Sequence, residues 1–283
     1  MPIPLKGTLL CLIASAGIAG GANAQTVDDE ILVIGVTPGG AEGLPLDKIP
    51  YNVRTATAEE IERFHSLDLS DFLNRGMGSV SLNDAQNNPL QPDVQYRGFT
   101  GSPLLGLAQG LAVYQNGVRI NEPLGDTINW DLLPESAVQS IDLTSGANPL
   151  FGLNTLGGAL AVTMKNGFDN PGHSAQAWGG SFGRWVIGGE SGANNDNLAY
   201  YANVQYFEED GWRDLSDSDS LNLYGSVGWR NETSAVNFNG QYGDSFLTGN
   251  GAIPVELMEL ERDAVFTAPD ITEHNMHMFS LDG

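Results

Sequence analysis

Two spacings of apolar residues divide the chain. After Pro171 apolar and polar positions alternate with a period of two. Between 198 and 207 the even positions hold Leu198, Tyr200, Ala202, Val204 and Tyr206, while the odd ones include Asn203 and Gln205, so a strand there has one apolar face and one wet face. The phase repeats with Leu221, Leu223, Val227 and Trp229 against Asn222, Tyr224, Ser226 and Arg230. It repeats again with Val236, Phe238 and Tyr242 against Thr233, Asn237, Asn239 and Gln241. Connections are expected to be short around 194–197, long at 208–220, short at 231–232 and very long at 243–275. Tight turns on one side and long loops on the other are the habit of strands that cross a membrane. A soluble β-sandwich alternates in the same way and is the competing reading.

From 44 to 167 the pattern is mixed. Thr57-Ala58-Glu59-Glu60 forms a capping box: the Thr hydroxyl and the Glu carboxylate satisfy free backbone N–H groups, which predicts a helix through His65. A second helix is predicted from Leu67 to Arg75, closed by Gly76. Short strands are predicted at 79–82, 94–97, 111–115, 138–144 and 159–164. Asn116-Gly117 marks a tight hairpin, because both central turn positions need φ > 0. The segment is long enough for a small α+β domain with its own core.

The first 24 residues have one positive charge, Lys6, an apolar stretch from about Thr8 to Ala19, and Ala22-Asn23-Ala24 as a small-x-small site. They read as a secretory signal peptide cut after Ala24. Cys11, the single cysteine, leaves with it, so the mature chain can carry neither a disulfide nor a thiolate site. Twelve basic against 35 acidic side chains give a net charge of −23, which speaks against nucleic acid as a partner, since phosphate contacts need Lys and Arg. No stretch after residue 24 is apolar for long enough to be a membrane helix, so any crossing must be made by strands.

Catalytic and metal motifs are weak. Gly179 to Gly183 fits G-x-S-x-G, but a nucleophile elbow needs strand, turn and helix, and residues 184–189 continue as strand. His274 and His277 fall on opposite faces of a strand, which separates them as metal ligands. Asp210, Asp214, Asp217 and Asp219 crowd one loop without the spacing of a calcium-binding loop, and read as a solvated charge run. No cofactor site and no enzyme activity are expected.

One stretch raises a different question. Asp28-Asp29-Glu30 is followed by Ile31-Leu32-Val33-Ile34, an apolar strand at the start of the mature chain. Residues 36–46, broken by Gly and Pro, are expected not to pair with it.

Several motifs together resemble the TonB-dependent outer-membrane receptors. They are Ile49-Pro50-Tyr51-Asn52-Val53, Tyr96-Arg97-Gly98-Phe99, the run 113–119 (VYQNGVR), the run 137–162 (AVQSIDLTSGANPLFGLNTLGGALAV), Gly180-Ser181-Phe182-Gly183 and the run 209–214 (EDGWRD). The resemblance implies an α+β plug domain followed by antiparallel transmembrane β-barrel strands. The family barrel has 22 strands, so the five or six that fit here make an incomplete one and the chain reads as an N-terminal fragment. It implies a signal peptide at 1–24, a TonB box and flexible linker at 25–44, a plug at 45–170 and the first barrel strands at 171–283.

The box would be Asp29, Glu30, Ile31, Leu32, Val33 and Ile34, taken up as an added strand by the periplasmic domain of TonB, itself joined to ExbB and ExbD. The implied role is active import across the outer membrane of a Gram-negative bacterium, with lipid around the barrel and a small-molecule or metal-chelate ligand. An iron–siderophore complex is the commonest family cargo. Cobalamin, another chelate, an oligosaccharide, or a non-transporting adhesin or phage-binding barrel are the alternatives. Asn87, Asn88, Gln91, Thr100 and Ser102 would sit on the plug apices as ligand contacts. Arg97 would meet a wall carboxylate, with Glu190 one candidate. The family's Arg-Gly-Pro is replaced by Ser145-Gly146-Ala147-Asn148-Pro149, which removes one plug arginine and leaves an exposed Arg97 as the other reading.

Overall fold

The computed structural model describes residues 33–34, 44–45, 48–84, 86–267 and 269–283. Asp29 to Leu32 of the expected box lie outside them. Val33–Ile34 form β1, which pairs antiparallel with β2, Leu44–Pro45, in the register Val33↔Pro45 and Ile34↔Leu44. This corrects the expectation that nothing nearby could pair with the apolar strand. A two-residue ladder tolerates the broken sequence around it, and Pro45 fits because Pro, lacking an N–H, is accepted at an edge.

The α+β unit opens with β3, Val53–Thr57, whose last residue caps α1, Ala58–Phe64. Both arms of the capping box form: Thr57 N–H donates to Glu60 Oε2 at 3.0 Å, and Glu60 N–H donates to Thr57 Oγ1 at 3.4 Å. Replacing Thr57 with Ala is expected to cost about 1 kcal/mol, seen as faster amide exchange along α1. Asp68 then caps α2, Leu69–Gly76, through Asp71 N–H at 2.9 Å. Gly76 was expected to end this helix by a left-handed turn. It is instead the last helical residue, and a Cβ there would stand 2.9 Å from the Phe72 ring. Space rather than backbone freedom selects it.

Strands β4 (Val80–Asn83), β5 (Asp93–Tyr96) and β6 (Phe99–Gly101) form a three-stranded sheet. Strands β7 (Leu111–Gln115), β8 (Val118–Arg119), β9 (Val138–Ser145) and β10 (Gly158–Met164) join β3 in a second sheet, ordered β3-β9-β10-β7-β8, with β10 parallel to β7. The β7–β8 turn has φ of 46° at Asn116 and 78° at Gly117, as its residue pair predicts. Ile61, Leu69, Phe72 and Leu73 pack on Val113, Ile141, Leu143, Leu160 and Val162, with Trp130 fully buried beside them.

Six antiparallel strands follow in sequence order. They are β11 (Gly172–Gly179), β12 (Trp185–Asn194), β13 (Leu198–Glu209), β14 (Ser218–Arg230), β15 (Ala235–Gly249) and β16 (Asp270–Asp282). Leu198, Tyr200, Val204, Leu223, Val227, Trp229, Val236 and Phe238 are exposed on one face, while Asn203, Tyr224, Ser226 and Asn239 are buried on the other. The alternation therefore has the expected phase. The last loop is shorter than expected, because β15 runs on to Gly249 and β16 begins at Asp270. The outer half of β15, Gly243 to Gly249, is mostly Gly, Asp, Ser and Thr with only Phe246 and Leu247 apolar, so hydropathy reads it as loop. No helix of the described residues is long and apolar enough to cross a membrane, which says nothing of strands.

The connections 210–217 and 250–269 lie at one end of this wall, the second holding α3, Val255–Leu260. Arg213 is buried and fastens them: Nη1 donates to Asn250 O at 3.1 Å and Gly251 O at 2.9 Å, and Nη2 to Ala264 O at 2.8 Å. Asn250 Nδ2 reciprocates to Asp214 O at 3.2 Å and Leu215 O at 2.9 Å. Gly179 to Gly183 sits at the β11–β12 hairpin with no helix after it, as the dismissal of a nucleophile elbow requires.

Candidate functional site

The α+β unit meets the wall along a seam that joins a series of polar contacts to an apolar patch, where Leu67 and Leu90 pack with Val186, Phe207 and Leu247. A short 3-10 turn, Trp130–Leu132, is held by Trp130 Nε1 donating to Gly101 O at 3.3 Å, and it turns Asp131 toward the strands. Asp131 Oδ2 accepts from Ser245 Oγ at 2.6 Å and lies 2.8 Å from His274 Nδ1, while its carbonyl accepts from Asn222 Nδ2 at 2.8 Å. Gln241 bridges Leu132 O and Gln115. Ser136 Oγ donates to Gln205 Oε1 at 2.8 Å. Asn116, placed by its hairpin, donates to the Tyr224 hydroxyl at 3.4 Å, which passes a hydrogen bond to Asn239 at 3.0 Å.

The strongest point of the seam is ionic. Lys165, just past β10, has a side chain only 5% exposed. Its Nζ lies 2.8 Å from Glu62 on α1 and 3.0 Å from Glu190 on β12. Glu190 also accepts from the Tyr201 hydroxyl at 2.6 Å and from Ser174 Oγ at 3.0 Å. Burial works against the charge on Lys165, but the two carboxylates outweigh it and hold the amine above its ordinary range. Asp68, further along the seam, has no such cation. Burial pushes its carboxyl up to about 7, against the amide of Asp71 and the hydroxyl of Ser70 that pull it down. A cavity of about 260 Å³ runs along this part of the seam, bordered by Glu62, Glu135, Lys165, Glu190 and Gln205.

The expected pairing of Arg97 with Glu190 is not formed. Arg97 is exposed, with φ 52° and its guanidinium 5.5 Å from the centre of its own neighbour's ring, Tyr96. The left-handed backbone turns the side chain away from the wall, and Lys165 takes the carboxylate instead. The expected ligand contacts also sit differently. Asn88 is buried and spends its amide on Ser218 Oγ at 2.9 Å and Thr248 O at 3.0 Å, so it faces the wall rather than an outside ligand. Ser102 is fully buried against Asp93, and Gln91 is buried as well. Asn87, at φ 55°, and Thr100, on β6, are only half-buried. His274 and His277 do fall on opposite faces, the first on Asp131 and the second against the Tyr242 ring. Among the described residues no three His, Cys, Asp or Glu side chains form a metal cluster, the Asp-rich loop included.

Sequence reasoning missed Asp131 and Lys165 altogether, and it missed the contacts to the plug of Asn222, Gln241 and His274, which it placed only on strand faces. A buried acid inside Trp130-Asp131-Leu132-Leu133, an apolar run, was the one signal available for any of them.

Residues 45–159 match the family model of the TonB-dependent Receptor Plug Domain. No curated protein matches the chain. Among solved structures, the closed form of the ferric-catecholate import receptor Fiu from E. coli K12 superposes with TM-score 0.61 at 17% identity, over 79% of this chain and 30% of that one. The ferripyoverdine receptor of the outer membrane of Pseudomonas aeruginosa gives 0.60 at 14%, over 76% and 28%. The copper transporter OprC gives 0.57 at 17%, over 71% and 31%. The chain thus spans about three tenths of the length of the structures it matches. Residues 45–159 are a TonB-dependent receptor plug domain, and the six strands after them have the fold of the barrel wall of that receptor family.

Proposed function

We propose that the protein is an outer-membrane receptor that imports a scarce ligand, most simply a metal chelate such as an iron–siderophore complex, by partial withdrawal of its plug. The observation that carries this reading is the chemistry of the seam. An apolar interface is costly to open, whereas Asn88, Gln115, Asn116, Ser136 and Lys165 meet polar wall groups whose hydrogen bonds water can replace. The cargo of the similar receptors, ferric chelates and copper, supports a metal-containing ligand. In this reading residues 1–24 direct export, 25–44 hold the TonB box and linker, 45–170 form the plug and 171–283 begin the barrel. The work is transport and not catalysis, and lipid surrounds the outward face.

Val33 and Ile34 would leave the β1–β2 ladder, and the box from Asp29 to Ile34 would add as a strand to the periplasmic domain of TonB, which receives its energy through ExbB and ExbD. The ladder is short enough to exchange. Leu32→Pro or Val33→Pro removes a backbone donor, so uptake in the full-length receptor is expected to stop while ligand still binds at the cell surface. Uptake that persists in both variants removes the box from the mechanism. Growth and expression under iron, copper and cobalt limitation identify the cargo.

A further inference from the structure

We propose that the plug–wall junction holds a single calcium ion between Asp68 of the plug, Asp131 of its 3-10 turn and Asn222 of strand β14. These three residues line one small cavity, of about 20 Å³, closed by Leu67, Leu90 and Phe207. Their exposures are 5%, 3% and 8%, so all three are more than nine-tenths buried. Each already uses one polar atom. Asp68 Oδ1 accepts from Ser70 and from Asp71 N–H, Asp131 Oδ2 is engaged by Ser245 and His274, and Asn222 Nδ2 donates to Asp131 O. Each also leaves one oxygen with no partner: Asp68 Oδ2, Asp131 Oδ1 and Asn222 Oδ1.

Three orphaned acceptors at one buried place demand a donor or a cation, because an unpaired buried oxygen carries its full desolvation cost. No Lys or Arg lines the cavity, and its remaining polar lining, Glu135, Gln205 and Ser220, adds further oxygens. One water has two hydrogens to give and would leave one of the three acceptors unpaired, and Asp68 has no basic partner, whereas Asp131 has His274. A dication answers all three oxygens at once. All-oxygen donors of this kind suit a hard ion rather than a transition metal. A cavity of about 20 Å³ has room for one particle of water size. Magnesium keeps several of its own waters, whereas calcium sheds them and accepts irregular oxygen cages, so the space selects calcium. The ion would join α2, the 3-10 turn and β14, and so tie plug to wall next to the cavity bordered by Lys165, which shares Glu135 and Gln205 with its own.

Terbium, which takes calcium sites, tests this in the purified full-length protein in detergent, with Trp130 beside Asp131 as the sensitiser of its emission. Terbium emission is expected to appear, to be displaced by calcium, and to resist the same concentration of magnesium. Asp68→Ser and Asp68→Asn both retain a good helix cap, so α2 persists while the cavity loses a carboxylate. Each is expected to weaken calcium at least tenfold, with unchanged tryptophan emission in the absence of metal, whereas Asp210→Asn on the exposed loop leaves it as in the parent. Absence of calcium-displaceable terbium emission, equal competition by magnesium, or undiminished affinity in Asp68→Ser overturns the proposal. None of these readouts depends on transport, so they stand apart from the test of the TonB box.

Discussion

Replacing Lys165 with Met is expected to loosen the plug from the wall by about 3 kcal/mol, the lower end of what removing one partner of a buried pair costs. The asymmetry of its two carboxylates supplies the reason. Glu62 is 60% exposed and simply returns to water, whereas Glu190 is 24% exposed and keeps only Tyr201 and Ser174 as partners. A stranded half-buried carboxylate is the main penalty. Glu62→Gln should therefore cost less than about 1 kcal/mol, as exposed pairs do. Amide exchange of β10 and α1 is the measurement, because it reads local opening without requiring the wall to unfold. About 3 kcal/mol corresponds to exchange more than a hundredfold faster. Equal effects of Lys165→Met and Glu62→Gln would show that the ionic contact is ornamental to the seam.

The second large effect concerns the outward face. Val227 is 58% exposed and in register with Tyr200 and Phe238 on the neighbouring strands. An Arg there should cost about 2–4 kcal/mol near the bilayer midplane. Its neighbour Ser226 points the other way and is 3% exposed, so it does not face a wet lumen, as strand alternation alone would suggest. Arg at Ser226 overpacks the seam and should cost about 1–3 kcal/mol, felt as plug release rather than loss of the wall. Spin labels separate the cases cleanly, since Cys11 is the sole cysteine and is expected to leave with the signal peptide. A label at 227 should be quenched by oxygen dissolved in lipid. One at 226 should be shielded from oxygen and from water-soluble reagents alike. Quenching of the label at 227 by the water-soluble reagent would place the wall outside a membrane.

What the sequence revealed divides along the range of the interactions involved. The capping box of α1, the Asn116-Gly117 turn and the outward phase of Leu198, Val227 and Phe238 are local patterns, and each could be read within a few residues. The seam could not. Asp131 finds Ser245 114 positions on, and Gln115 finds Gln241 126 positions on. Ser, Asn and Gln on the inner face of a strand carry no mark that separates plug contacts from lumen lining. Arg97 misled for a related reason: the family pattern supplied a charge and a partner, but the backbone at φ 52° aims the charge elsewhere. The end of β15 was lost because Gly243 to Gly249 is rich in Gly, Ser, Thr and Asp, turn residues by composition and strand residues by pairing with β16.

The Arg213 clamp changes how the end of the wall responds to touch. Two connections that might have wandered separately share one buried guanidinium and three carbonyl bonds, so a push on either is transmitted to the other as a rigid displacement. The chain entropy that loose loops surrender on capture is already gone in the free molecule. Contact with this rim is therefore decided by shape at first encounter, with little of the delay that folding around a visitor would impose.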